Sequence, residues 1–273
     1  MSSATRLGKL QRRERIIAEL RANPAVRVAA LARAFGVSTE TVRRDLDALS
    51  DGGLVSRTYG GAALPVIGVE PSLVERQREL TRERELIAQR AFELLTPREV
   101  IMVDCGSTTW HFARRLAMEP LPLTVVTNSL GIATTLAANP AIRVVVCPGD
   151  YAAAEGGTFG PETLAFLRRF RADRAVIGAG GLTVDGPTEV HSGAAWVKRV
   201  MLERARQGIL LVDQSKFEQT RYEIICALAD LDDVVSDDAP SRVLAEALRQ
   251  AGVMLHLATS DGPRPGPATS AEP

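Results

Sequence analysis

Two groups of residues in this chain have types and spacings suited to chemistry. The first is the stretch VSTETVRRDL, residues 37–46, where Ser38, Thr39 and Thr41 precede the adjacent pair Arg43 and Arg44. Small hydroxyl side chains at a helix start let its free N–H groups come close to a phosphate. Arginine adds bidentate contact to guanine or phosphate. The second group is dispersed. Short polar loops follow five apolar runs: Asp104-Cys105-Gly106-Ser107-Thr108-Thr109, Thr127-Asn128-Ser129, Pro148-Gly149-Asp150, Gly178-Ala179-Gly180-Gly181 and Asp213-Gln214-Ser215-Lys216-Phe217. A glycine and hydroxyl residues opening a helix combine free backbone N–H groups, the positive end of the helix dipole and hydroxyl donors, which suits phosphate. The spacing is not that of a Walker loop and no GxGxxG occurs, so neither nucleoside-triphosphatase nor dinucleotide chemistry is indicated. The chain has three lysines, Lys9, Lys198 and Lys216, among 33 basic residues. Lys216 therefore marks a place that wants a compact ammonium, suited to phosphate or a sugar hydroxyl. Lys198, in the stretch VKRVM, reads instead as a helix-surface residue.

Other chemistries fit less well. Sugar-phosphate isomerisation needs a carboxylate base and a group to stabilise the enediolate, and Asp104, Asp150 or Asp213 with Lys216 offers the parts. A non-catalytic pocket uses the same groups to hold sugar hydroxyls, and binding without catalysis is the expectation. His111, His191 and Cys105 match no metal-ligand spacing, so neither metal nor cofactor is expected. Cys105 precedes a helix, which lowers a thiol pKa, but a small residue in a tight loop is the simpler account. Cys105, Cys147 and Cys226 lie far apart with no CxxC pair, as expected of reduced thiols.

These residues need elements to hold them. Residues 1–60 carry ten Arg and one Lys against six acidic residues, net +5, leaving −5 on the remainder. That is the charge pattern of a nucleic-acid reader joined to something else. Ile16, Ile17 and Leu20 mark one face of a first helix ending near Asn23-Pro24. Leu31 and Phe35 mark a second, closed by Gly36. Ser38 caps a third helix, Val37 and Val42 form a hydrophobic staple, and Val42, Leu46 and Leu49 make the buried stripe, with Arg43 and Arg44 away from it. LVSR and TYGG then form a small β hairpin. The sum is a winged helix-turn-helix over residues 1–61, whose third helix would enter the major groove.

Residues 62–74 read as a linker. Residues 75–95 are charged and helical. Beyond Pro97, apolar runs at 100–104, 123–128, 142–147, 174–179 and 208–213, with shorter ones near 222–228, 232–236 and 253–257, alternate with helical segments. This predicts a mostly parallel, doubly wound α/β domain over 75–257, which binds ligands at its strand ends. A polar tail, 258–273, reads as disordered. No apolar run reaches the roughly 18 residues of a membrane span, and the basic N-terminus lacks a signal-peptide pattern. The expected location is the cytoplasm, away from the membrane.

The pattern Ser38-x-x-Thr41-Val42-Arg43-Arg44-Asp45-Leu46, with Leu54-Val55-Ser56-Arg57 and Tyr59-Gly60-Gly61-Ala62, resembles the N-terminal domain of DeoR-type bacterial transcription regulators. Tyr59 stands where that family usually has His. DCGSTT, VVTNS, TFGPE, GAGGLT and DQSKF resemble the family's effector domain in order and spacing, so the resemblance covers about residues 10 to 257. It implies an effector domain similar in fold to ribose-phosphate isomerases and CoA transferases. It also implies contact with double-stranded operator DNA through Ser38, Thr39, Thr41, Arg43, Arg44, Arg57 and Tyr59. A phosphorylated sugar would be held by Gly106, Ser107, Thr108 and Thr109, with Asp104, Asn128, Asp150, Gly180, Asp213 and Lys216 lining the rest. The expected function is repression of a carbohydrate-use operon by a homodimer or homotetramer, relieved by that effector, with the 75–95 helix a candidate interface. The sequence departs from the family at Pro148-Gly149 and at Ser192-Gly193-Ala194, which has Glu189 and His191 upstream. Both places bear on ligand choice.

Overall fold

Helical spacing in the N-terminal segment yields three helices, Lys9–Ala22, Val28–Phe35 and Thr39–Asp51. The computed structural model describes residues 8–22, 25–51, 55–58, 60–63 and 70–258, and the chain divides into two units, Met1–Val69 and Glu70–Pro273. In the first unit, Ile16, Leu20, Leu31, Val42, Leu46 and Leu49 share one buried cluster. Gly36 ends the second helix in the left-handed region, at φ 63°, where glycine carries no Cβ penalty. Strands Ser56–Thr58 and Gly61–Ala63 form the expected hairpin, the second running past residue 61. An unexpected third strand, Ala25–Arg27, pairs with the other side of Gly61–Ala63. Three residues between two helices are too few to show a period. Their close packing explains Gly61, since a Cβ there would lie 2.1 Å from the Val26 carbonyl oxygen. Asn23-Pro24, Gly52 to Leu54, Tyr59, residues 64–69 of the 62–74 stretch and the tail beyond Ala258 lie outside the described residues.

The second unit is built on a seven-stranded, wholly parallel sheet. Its order is Met254–Leu257, Asp233–Ser236, Ala205–Leu211, Ala172–Gly178, Val100–Val103, Leu123–Thr127 and Ile142–Val146. The central strands Ala172–Gly178 and Ala205–Leu211 are apolar and buried over their last four residues, and Val100–Val103 is apolar throughout, because both faces are covered there. Ile101, Val103, Val176, Ile209 and Leu211 point to one side, against helices Thr81–Phe92, Ser107–Ala117 and Leu130–Leu136. Met102 and Ala175 point to the other, against helix Ser192–Arg204. The chain runs from Val100–Val103 outward to Ile142–Val146, then returns to Ala172–Gly178 and runs outward the other way. The order therefore reverses between Val100–Val103 and Ala172–Gly178, and the crevice beyond the carboxyl ends of these two strands is where an open parallel sheet binds ligands.

Three expectations change. The run at 222–228 contributes only Glu223–Ile224, in a small antiparallel sheet with Gly181–Thr183 and Gly186–Glu189. The 75–95 region is two helices, Leu73–Arg76 and Thr81–Phe92, separated at Leu80 with φ 47°. The apolar face of the longer one, Ile87, Ala88 and Ala91, is buried within its own unit. Residues 70–74, expected in the linker, belong to the second unit. Among the described residues no helix is long and apolar enough to cross a membrane.

Candidate functional site

In the first unit, the Ser38 hydroxyl accepts from the Thr41 amide at 3.1 Å and lies 2.9 Å from the Thr41 hydroxyl, fixing the start of the third helix. Ser38 and Thr39 are exposed and Thr41 is half-buried. Arg43 and Arg44 are exposed, with Glu40 at 4.0 and 3.3 Å. Exposed pairs of this kind contribute little, so both guanidiniums can exchange Glu40 for a phosphate or a base. The opposite face carries a residue whose role the sequence reading missed. Asp45 is buried and pairs with Arg12 and Arg13, tying the third helix to the first. Its signal was present, since 42, 45, 46 and 49 are the positions of a buried stripe. Arg57 lies on strand Ser56–Thr58; Tyr59 lies outside the described residues.

In the second unit, a cleft opens where the strand order reverses. Asp104, Gly106, Ser107, Thr108 and Lys216 line it, together with Glu70, Arg76, Glu155, Glu189 and Lys198. The loop after Val103 turns directly into helix Ser107–Ala117, with Gly106 at its N-cap, so the helix N-terminus faces the cleft. Asp104 accepts from the Gly178 amide at 3.1 Å, which joins the two strands at the switch point. Its other oxygen lies 3.2 Å from Lys198 Nζ, and Lys198 also pairs with Glu189. Lys198 is therefore buried between two carboxylates, and the surface position expected for it is wrong. Its ammonium reaches under the strand ends from the helix Ser192–Arg204. Burial would lower its pKa, but Glu189 and Asp104 outweigh that and hold it above the ordinary value. Asp104 is pushed up to about 6 by burial, with Lys198 opposing. At the rim, Lys216 Nζ meets Glu70 at 2.8 Å, and Arg76 bridges Glu70 at 3.2 Å and Glu155 at 2.7 Å. Glu155 sits in the turn of the hairpin Asp150–Ala152 and Gly157–Phe159.

The other expected lining residues are placed differently. Thr109 donates to the Asp104 carbonyl at 3.0 Å. Asn128 accepts from the Cys105 amide and donates to the Thr158 carbonyl, both at 3.0 Å. Both are fully buried and brace the phosphate-type loop from behind. Asp213 is fully buried and bonded to Arg84 through two nitrogens at 3.1 Å. Its second oxygen accepts from the Ser215 amide, so it holds the loop carrying Lys216. Gly180 is engaged through its backbone, donating to Thr188 and accepting from Arg221. Asp150 is exposed on its hairpin and absent from the cleft lining. Cys105 is buried and its thiol pushed up to about 12 by burial, which keeps it a thiol and removes the reactive-cysteine alternative. His191 caps the helix Ser192–Arg204 by accepting from the Ala194 amide.

Residues 12–66 match the model of the DeoR-like helix-turn-helix domain, and residues 79–238 match that of the DeoR C terminal sensor domain. The chain belongs to the DeoR family. It is 31% identical to the glycerol-3-phosphate regulon repressor of Escherichia coli over 248 residues, covering 90% of this chain and 98% of that one. It is 33% identical over 230 residues to the L-fucose operon activator of Haemophilus influenzae, covering 83% and 91%. Among solved structures, ribose 5-phosphate isomerase of Methanocaldococcus jannaschii aligns at 21% identity and TM-score 0.37, over 49% of this chain and 53% of that one. In this DeoR sensor unit Glu70, Arg76 and Glu155 had no sequence signal, Lys198 had the wrong one, and Glu189 was noted only as lying upstream of Ser192; they come from a connecting segment, two hairpins and two helices. None of them follows a strand of the main sheet.

Proposed function

We propose that this DeoR-family chain represses a carbohydrate-use operon and releases its operator when a phosphorylated sugar enters the cleft. The observation that carries this is the convergence, at the switch point of the sheet, of the Gly106-Ser107-Thr108 helix N-terminus with Lys216 and Arg76. Backbone N–H groups and two cations are the donors a phosphate needs. Glu155, at the rim, would accept from a sugar hydroxyl, while Asp104 and Glu189 hold Lys198 beneath the loop. In this proposal Thr109, Asn128 and Asp213 act by holding the loops, and Asp150 and Gly180 have no direct part.

Catalysis is not part of the proposal. The two carboxylates nearest the loop, Asp104 and Glu189, are committed to Lys198, and similar relatives are named as a regulon repressor and an operon activator. DNA contact falls to Ser38, Thr39, Thr41, Arg43 and Arg44, with Arg57 and Tyr59 from the wing. A homodimer or homotetramer would place two such helices on half-sites about a helical turn or a multiple apart. Its partners would be double-stranded DNA and the effector alone, in the cytoplasm.

The test is selection of operator fragments from the source genome by the purified protein, followed by anisotropy titrations. Arg43→Ala and Arg44→Ala should each weaken operator binding by about 1–3 kcal/mol, roughly five- to a hundred-fold, with unchanged circular dichroism. Undiminished binding by both variants would remove the third helix from the interface.

A further inference from the structure

The cleft is suited to an anion, yet its lining carries four carboxylates, Glu70, Asp104, Glu155 and Glu189, against three cations, Arg76, Lys198 and Lys216. The formal balance is −1. A phosphate entering this arrangement meets more negative than positive charge, and both rim cations are already paired.

Glu70 differs from the other three carboxylates. Asp104 and Glu189 are fixed below the loop by Lys198 and by the Gly178 and Val190 amides. Glu155 contacts Arg76 alone among the cations. Glu70 bridges Lys216 and Arg76 together, and its side chain is only 4% exposed although its backbone belongs to no helix or strand. Burial pushes its carboxyl up, but Lys216 and Arg76 outweigh this and hold it at about 2. The carboxylate thus stands where the two rim cations would grip a phosphate. Arg76 has capacity to spare, for its Nε is buried with no hydrogen-bond acceptor among the described residues.

We propose that Glu70 is a built-in counter-ion of the anion site, and that a phosphorylated ligand binds by displacing it from Lys216 and Arg76. This rests on the cleft being the effector site. Displacement removes one negative charge from the lining and releases Lys216 from its one ion pair among the described residues. It also unpins the segment that follows the linker. Glu70 is joined through residues 64–69 to strand Gly61–Ala63 of the DNA-reading unit. Beyond it, the stretch 70–76 is held by the Leu73 amide on the Ala154 carbonyl, by the buried Leu73 side chain, by Arg76 on Glu155 and by Arg84 on the Arg76 carbonyl, so Glu70 is the contact at its linker end. Occupancy of the cleft therefore reaches the tether of the first unit without any rearrangement of the main sheet.

The probe is inorganic phosphate, titrated into the full-length protein in a phosphate-free buffer. Glu70→Gln should bind phosphate about tenfold more tightly than wild type, equivalent to 1.4 kcal/mol, and Lys216→Ala should lose binding. In the wild type, where no variant can fail to fold, phosphate should speed hydrogen exchange across 70–76 while slowing it across 106–109. Suppose phosphate protects 106–109 and Lys216→Ala abolishes binding, but Glu70→Gln leaves affinity unchanged and 70–76 stays protected. The anion site then stands and Glu70 is not its competitor. Suppose phosphate binds neither wild type nor Glu70→Gln. The anion site itself then fails, and the proposal falls with it.

Discussion

A single ammonium, Lys198 Nζ, serves two buried carboxylates, and one positive charge cannot offset the desolvation of two negative ones. At Asp104 burial is the larger effect and pushes the carboxyl up from 3.8 to about 6 against the opposing pull of Lys198. A carboxyl raised on folding contributes stability below its unfolded pKa and loses it as pH rises through the folded one. Replacing Asp104 with Asn removes that titration and keeps an acceptor for the Gly178 amide. Relative to wild type, Asp104→Asn should gain stability between pH 4 and pH 7, by up to roughly 3 kcal/mol, as read from urea midpoints. A difference that stays flat or falls with pH would contradict this. Asp104, Gly106, Ser107, Thr108 and Lys216 were legible in the sequence because each follows a recognisable strand. Glu70, Arg76 and Glu155 were not, because a connecting segment, a four-residue helix and a hairpin turn are too short to carry a period. Lys198 was misread because the spacing in VKRVM does not tell a solvent-facing lysine from one reaching beneath a sheet edge.

At the scale of elements, the Arg84–Asp213 pair joins the helix Thr81–Phe92 to the strand-end loop of Lys216. The same guanidinium donates to the Arg76 and Glu79 carbonyls, where the two N-terminal helices of the second unit separate. Arg84 is 1% exposed, so deleting its charge leaves Asp213 buried and unpaired. Arg84→Met should cost roughly 3–5 kcal/mol in urea denaturation; a loss under 1 kcal/mol would mean that the pair is not buried as described. All seven strands of the main sheet and most of their helices were legible because apolar runs between helical stretches have few other solutions. The Ala25–Arg27 strand and the sheet of Gly181–Thr183, Gly186–Glu189 and Glu223–Ile224 were not. Strands of two to four residues are defined by their partners rather than by their own pattern.

The whole molecule pairs a basic helix-turn-helix unit with a sensor unit whose cleft is lined by opposed charges. The charge split of +5 and −5 between the first 60 residues and the rest was the earliest sign of that division. The proposed function turns on recognition of a phosphorylated ligand in the cleft through Lys216. The most direct measurement is a thermal-shift comparison of wild type and Lys216→Ala against glycerol 3-phosphate, pentose phosphates and hexose phosphates, each beside its unphosphorylated parent. At 100 times its dissociation constant a ligand adds about 2.7 kcal/mol, a rise of several degrees. Such a rise is expected for a phosphorylated compound in the wild type, none for its parent, and none in Lys216→Ala. An equal rise with the parent, or a rise that survives Lys216→Ala, would contradict it.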